Sequence, residues 1–298
     1  MKVKFWGVRG SIATPGKFTV RYGGNTSCTE VHLDDGNLII FDAGTGIRDL
    51  GNKLSESNKR IRAYILITHP HWDHIQGFPF FRPAFVEGNE ITIVGPEARG
   101  VSLAKLIAEQ MNKVYFPVKL SELQAKINFI PLKEDSIKVF DAKLDSFFVN
   151  HPGFTLGYRL SFRKKSLVYI SDNEPYSRET ARLFTNGEPD VLKLFESYGG
   201  DPNNRVVDLI RGSDVLIHDS TYTPEQYSDH IGWGHSHYLY TLRMAAEAGV
   251  KKLCLFHYDP VLDDDAIDEI VKRCKKEMKK MKYTFELSAA REGEEFQF

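Results

Sequence analysis

The sequence predicts an α/β fold that carries its functional groups at strand ends, and two observations predict it. Short apolar runs rich in strand formers recur along the chain, separated by stretches with helical spacing of apolar positions. Five of these runs end in histidine or aspartate. Open α/β sheets place their sites at the carboxyl ends of strands, so such termini can converge in space although scattered in sequence. With 42% hydrophobic and 27% charged residues among 298, the composition carries the bias of neither disorder nor a coiled coil. No linker or repeat interrupts the pattern, which gives one domain over residues 1–298 with a helical insertion at about 174–213.

The opening reads as strands and turns: Lys2 to Val8, Ser27 to Leu33 and Asn37 to Asp42, with Asp34-Asp35-Gly36 as a hairpin signal. Gly23-Gly24 permits tight backbone turns, but the segment matches no phosphate-binding motif and reads as a plain loop. Asp42 ends the third strand. It either orients a ligand loop by hydrogen bonds or serves as a turn or helix-cap aspartate.

Ala63 to Ile67 reads as a buried strand and ends at Thr68-His69-Pro70-His71-Trp72-Asp73-His74. Four potential ligands within six residues exceed what packing supplies, because imidazole and carboxylate are costly to gather unless a cation neutralises them. His69 and His71 are two apart, face one side of an extended backbone and can share an ion. Asp73 and His74 follow the turn and suit a second ion close by.

Ile75 to Pro83 is aromatic, starts as a helix and soon meets proline; its rings are expected in the core. Glu90 to Val94 is a strand stopped by Gly95-Pro96, and Leu103, Leu106, Ile107 and Met111 mark a helix over 102–112. The βα alternation is expected to continue to the end. Strands over 146–150, 166–171, 214–217 and 252–256 end at His151, Asp172, His218-Asp219 and His257. Within the insertion, Leu183, Val191, Leu194 and Phe195 have helical spacing, suited to covering a cleft or to a dimer surface. The tail is an amphipathic helix with the stripe Ile267, Ile270, Val271, Cys274, Met278 and Met281, acidic at its start and basic at its end as the helix dipole prefers. Its lysines read as a solvated face.

In this combination the chain resembles the metallo-β-lactamase-fold hydrolases over nearly its whole length. The motifs are Asp42, His69-Pro70-His71-Trp72-Asp73-His74, His151, Asp172 and His257. Ser171-Asp172-Asn173 stands where many members have Thr-Gly-Asp, with the carboxylate retained. The resemblance implies a four-layer αββα sandwich with metals in a cleft at the edge of the two central sheets. It also implies the ligands: His69, His71 and His151 for one divalent ion, Asp73, His74 and His257 for the other, and Asp172 as the bridge. The nitrogen and oxygen set suits zinc, with manganese or iron as options.

His218-Asp219-Ser220-Thr221-Tyr222 and Gly234-His235-Ser236 are similar to the phosphodiesterase branch of that family, which includes tRNA 3′-end endonucleases and class II cyclic-nucleotide and cyclic ribose-phosphate phosphodiesterases. There an acidic residue at the position of Asp219 orients a histidine at the position of His235. The implied catalytic set is Asp73, His235 and Asp219: two ions share a hydroxide, and His235 stabilises or protonates the leaving oxygen. His218 has either a supporting or a packing role, and His32, His230 and His237 read as ordinary imidazoles.

The expected substrate is a small cyclic or linear nucleotide or sugar phosphodiester, with nucleic acid not favoured. Relatives that cut tRNA carry a long arm between the positions of His151 and Asp172, and here only twenty residues separate them. A formal net charge of −1 also lacks the basic excess of a nucleic-acid binder. The alternatives are an RNA 3′-end endonuclease and a thioesterase or lactonase, the latter having no need of the Asp219–His235 pair. A redox di-iron protein fits poorly, because His71 stands where such proteins carry a carboxylate. Cys28, Cys254 and Cys274 show no paired spacing, and neither a signal peptide nor a membrane-spanning run is present. A cytoplasmic location with no membrane partner is therefore expected, and a homodimer is left open.

Overall fold

The computed structural model describes residues 1–57, 59–97, 100–177, 179–180 and 201–298. Two seven-stranded mixed sheets form its centre, with orders β14-β1-β2-β3-β4-β5-β6 and β13-β12-β11-β10-β9-β8-β7, where β13 spans Glu286–Ala289. Side-chain alternation decides the layers. In β3 (Leu38–Phe41), Ile39 and Phe41 face the core shared with the other sheet, while Leu38 and Ile40 face outward to a second apolar cluster. Phe41 stacks on Tyr169 of the opposite sheet at 4.8 Å between ring centroids. Strands covered on both sides need helices on the outside. The helices α1 (Ile47–Ser55) and α3 (Leu103–Gln110) cover the first sheet; α4 (Pro202–Ile210), α6 (Tyr238–Ala248) and α7 (Asp264–Met281) cover the second, and α2 (Trp72–Ile75) and α5 (Pro224–Tyr227) are single turns. The four-layer αββα sandwich is thus realised.

Most expected elements lie within a residue or two of their anticipated limits, including β1 (Lys2–Gly7), β2 (Cys28–His32), β4 (Arg62–Leu66) and β12 (Lys252–Phe256). The regular βα alternation does not hold. From Lys126 to Ile170 five strands follow one another: β6 (Lys126–Leu132), β7 (Ser136–Val139), β8 (Ala142–Phe148), β9 (Leu156–Phe162) and β10 (Lys165–Ile170). Two of their connections are two-residue hairpins, Phe140-Asp141 and Arg163-Lys164. Phe140 and Arg163 adopt positive φ (52° and 55°) without the Asn-Gly or Asp-Gly pair that announces such turns.

β14 (Glu295–Gln297) returns across the molecule and pairs antiparallel with β1, closing the first sheet. Of the aromatic segment, Phe78 and Phe81 are buried but Phe80 is exposed. The tail helix α7 is capped by Asp263, whose carboxylate accepts from the Ala266 backbone N–H, and buries Ile267, Ile270 and Cys274; Met281 already lies half exposed. Leu183, Val191, Leu194 and Phe195 of the expected insertion lie outside the described residues. Among the described residues no helix is long and apolar enough to cross a membrane.

β3, β4 and β5 (Glu90–Pro96) run parallel, as do β10, β11 (Val215–Asp219) and β12. Their carboxyl ends therefore lie together at one edge of the sandwich. Asp42, Thr68 to His74, Asp172, Asp219 and His257 all follow or end these strands.

Candidate metal centre

The strand ends bring three imidazoles together first. His69 Nε2, His71 Nδ1 and His151 Nε2 converge, with His71 Nδ1 at 2.9 Å from His69 and 3.1 Å from His151. Two of these rings are held from behind. His69 Nδ1 lies 3.1 Å from Thr68 Oγ1, and His151 Nδ1 donates to the Gly234 carbonyl at 2.8 Å. A donor at the rear nitrogen leaves the front one as a lone pair. Burial pushes His69 and His71 below their usual range and His151 down to about 3, which keeps all three neutral, the form that ligates a cation. His71 is the exposed member and opens the group to solvent.

Asp73, His74, Asp172 and His257 form a second, fully buried group. His74 Nε2 lies 3.1 Å from Asp73 Oδ2 and 3.2 Å from Asp172 Oδ1; His257 Nε2 lies 3.3 and 3.4 Å from the same two oxygens. Asp172 faces both groups, because its Oδ2 points to His69 and His151 at 3.8 Å each. This is the disposition a bridging carboxylate needs. Burial lowers the proton affinity of His74, yet the charges of Asp73, Asp172 and Asp42 outweigh it and raise His74 well above its ordinary value. His74 Nε2 and Asp172 Oδ1 are buried and lack a hydrogen-bond partner among the described residues. Orphaned polar atoms around an excess of negative charge are what a cation would satisfy, so the residues present fit metal ligation.

Asp42 resolves the choice left by the sequence. Its Oδ1 accepts from the Thr68 backbone N–H (2.8 Å) and hydroxyl (3.0 Å), and its Oδ2 from His74 Nδ1 (2.9 Å) and the Tyr169 hydroxyl (3.0 Å). It anchors the ligand loop and sets the tautomer of His74 at once.

Asp219 and His235 lie beside the second group. His235 Nδ1 donates to Asp219 Oδ2 at 3.3 Å and also sits 3.7 Å from Asp172 Oδ2, with its ring stacked on His257. Burial lowers His235, but Asp219, Asp172 and Asp73 together raise it to about 9. Asp219 is held by four further hydrogen bonds, from the backbone N–H of Asn173, Thr221 and Ser236 and from the Thr221 hydroxyl. It therefore ties three loops to one carboxylate. His218 turns away, with Nδ1 2.7 Å from its neighbour's carbonyl at Asp219, a packing role. His32 pairs with Glu30, and His237 caps α6.

Three contributors escaped the sequence reading. Ser11 donates its backbone N–H to Asp73 Oδ2 at 2.8 Å. Gly10 lets the chain lie against His257: a Cβ there would come within 2.4 Å of the ring. Glu174 is fully buried, and its carboxylate accepts from the N–H of Gly232 and Gly234 (2.8 Å each) and from the Tyr227 hydroxyl (3.0 Å). It fixes the loop that carries both His235 and the carbonyl holding His151. Gly234, at φ 88°, has no room for a Cβ, which would meet His151 Nδ1 at 2.2 Å. The only local signals were a glycine after Arg9 and a carboxylate two residues past Asp172.

Comparison with known proteins gives the context. The beta-lactamase superfamily domain matches residues 37–194. Ribonuclease Z of Picrophilus torridus is 26% identical over 289 residues, 88% of this chain and 87% of its own. Ribonuclease Z of Thermoplasma acidophilum is 27% identical over 293 residues, 90% and 89% respectively. The metallo-beta-lactamase fold protein YhfI from Bacillus subtilis superposes with a TM-score of 0.65 at 18% identity, covering 99% of this chain and 98% of its own, a likeness of fold.

The relatives named Ribonuclease Z correct one expectation, that of a small phosphodiester substrate with nucleic acid not favoured. Net charge summed over the chain says nothing of how charge and stacking surfaces are distributed at a cleft. The short 151–172 connection, a plain β9–β10 hairpin, concerns how a substrate is held rather than which bond is cut.

Proposed function

Since the chain belongs to the beta-lactamase superfamily and is a metal-dependent hydrolase, we propose that it cleaves phosphodiester bonds of RNA, as a 3′-end endonuclease, with two divalent cations, zinc being the best fit. The observation that carries this reading is the Asp219–His235 pair set against the ligand groups, a pair that acyl cleavage does not require. His69, His71 and His151 would hold one cation, Asp73, His74 and His257 the other, with Asp172 between them. Cations so placed polarise phosphoryl oxygens and lower the pKa of water.

The chain's own residues supply the rest. His235, with Nδ1–H on Asp219, presents Nε2 to the leaving ribose oxygen and donates its proton there. Asp219 holds that tautomer and adds to the proton affinity of the ring. Glu174 and Gly234 keep His235 and His151 in a constant relation to each other. Exposed His71 marks the side from which substrate enters.

The test is a parallel assay on metal-loaded protein with an RNA bearing a 3′ extension, a chromogenic phosphodiester, a thioester and a lactone. Release of the RNA extension is expected. Cleavage confined to the thioester or lactone would overturn the proposal.

A further inference from the structure

Three aromatic side chains close in sequence to the site histidines are left exposed. Trp72, between His71 and Asp73, is 79% exposed; Trp233, two residues before His235, is 62% exposed; Phe154, three after His151, is 49% exposed. Large apolar side chains left in water singly are ordinary, but here three stand within three residues of site histidines.

Trp233 is fixed from two directions. Its ring ends a ladder that begins at the candidate acid: His235 to Tyr222 at 5.9 Å, Tyr222 stacked on His230 at 4.6 Å, and His230 edge-on to Trp233 at 4.8 Å. Its backbone is fixed by Glu174, which accepts from the N–H groups of Gly232 and Gly234 on either side. An indole held in this way loses little freedom when a planar group lies on it, which favours binding. The histidines these three residues neighbour in the chain are themselves close together: the rings of His71 and His151 lie 5.0 Å apart, and those of His151 and His235 5.3 Å.

Phosphate contacts grip the backbone of RNA, but holding unpaired bases in place needs affinity of another kind. Stacking supplies it, because every base has a π face. We propose that Trp233, assisted by Trp72 and Phe154, is a stacking platform for unpaired nucleobases beside the scissile phosphodiester. This rests on the reading of the chain as an RNA phosphodiesterase. Bases within a duplex are already stacked, so the platform selects single-stranded segments at the cut.

The experiment measures Kd by fluorescence anisotropy on the full-length, metal-loaded His235→Ala protein. The probes are a labelled single-stranded oligoribonucleotide and the same oligonucleotide with abasic sites at its 3′ end. Adding Trp233→Ala is expected to weaken binding of the base-bearing RNA about 5- to 150-fold and to leave the abasic RNA unaffected. Trp233→Phe should restore most of the loss. Binding of RNA that Trp233→Ala does not weaken overturns the platform and leaves the RNA reading standing; no binding of either RNA overturns both. Light scattering runs alongside: a mass that falls on Trp233→Ala assigns the patch to self-association and overturns the proposal.

Discussion

Asp42→Asn tests the link between the buried hydrogen-bond network and the metal centre. Asp42 sits at φ 58°, a region in which asparagine is among the few residues tolerated, so the backbone should not move. The amide oxygen can still accept from Thr68 in place of Oδ1. The amide NH2 then replaces Oδ2, which now accepts from His74 Nδ1 at 2.9 Å and from Tyr169 at 3.0 Å. Tyr169 can adapt, because a hydroxyl accepts as well as donates. His74 cannot adapt without cost: facing a donor, its Nδ1 must give up its proton, which leaves the ring's remaining proton on Nε2. That is the atom aimed at Asp73 and Asp172.

The expected loss is one hydrogen bond to a charged acceptor, about 1.5–3 kcal/mol of stability. A further 10- to 100-fold is expected in metal affinity, as for other partners standing behind a ligand imidazole. Competition against a chromogenic chelator gives the affinity, and urea unfolding of the metal-free protein gives the stability. An Asp42→Asn protein that binds metal as tightly as the wild type would refute the assigned tautomer and the role of Asp42.

His235→Ala should lower turnover on RNA by about 10²–10⁴-fold with metal content intact, checked by elemental analysis of the assayed sample. Asp172→Ala should lose metal as well as rate, because its two oxygens face both ligand groups; full metal occupancy after gel filtration would count against that position. Glu174→Gln turns one buried acceptor into a donor facing the N–H groups of Gly232 and Gly234, at a cost of about 1–3 kcal/mol read from the unfolding midpoint. The hydrogen bond to Glu30 raises His32 above its ordinary value despite partial burial. The stability it contributes is therefore complete below the unfolded value and lost as pH rises through the folded one. His32→Gln should accordingly flatten the decline in unfolding free energy as pH rises above about 6.5, the ordinary histidine value, and parallel curves for the two proteins would exclude the pair as its source.

The residues of the two clusters were legible because their signal is local. His69, His71, Asp73 and His74 crowd one strand end, and His151, Asp172 and His257 each close an apolar run of their own. The double sheet was legible from resemblance and alternation together, but the run of strands from Lys126 to Ile170 was not. Its hairpins turn on Phe140 and Arg163 at positive φ, a conformation these residues do not advertise.

The sequence by itself determined which side chains are present at the strand ends, and chemistry alone makes such an inventory a metal site. Only the tertiary structure decided which atom of each side chain faces inward. That choice depends on groups remote in the chain: Asp42 behind His74, the Gly234 carbonyl behind His151, the Ser11 N–H on Asp73, and Glu174 on the backbone N–H groups of Gly232 and Gly234. The reason is physical. A ligand's identity is a property of one residue, whereas its tautomer, charge and exposure are set by contacts of a few Å that exist only once separate strands are brought to the same edge.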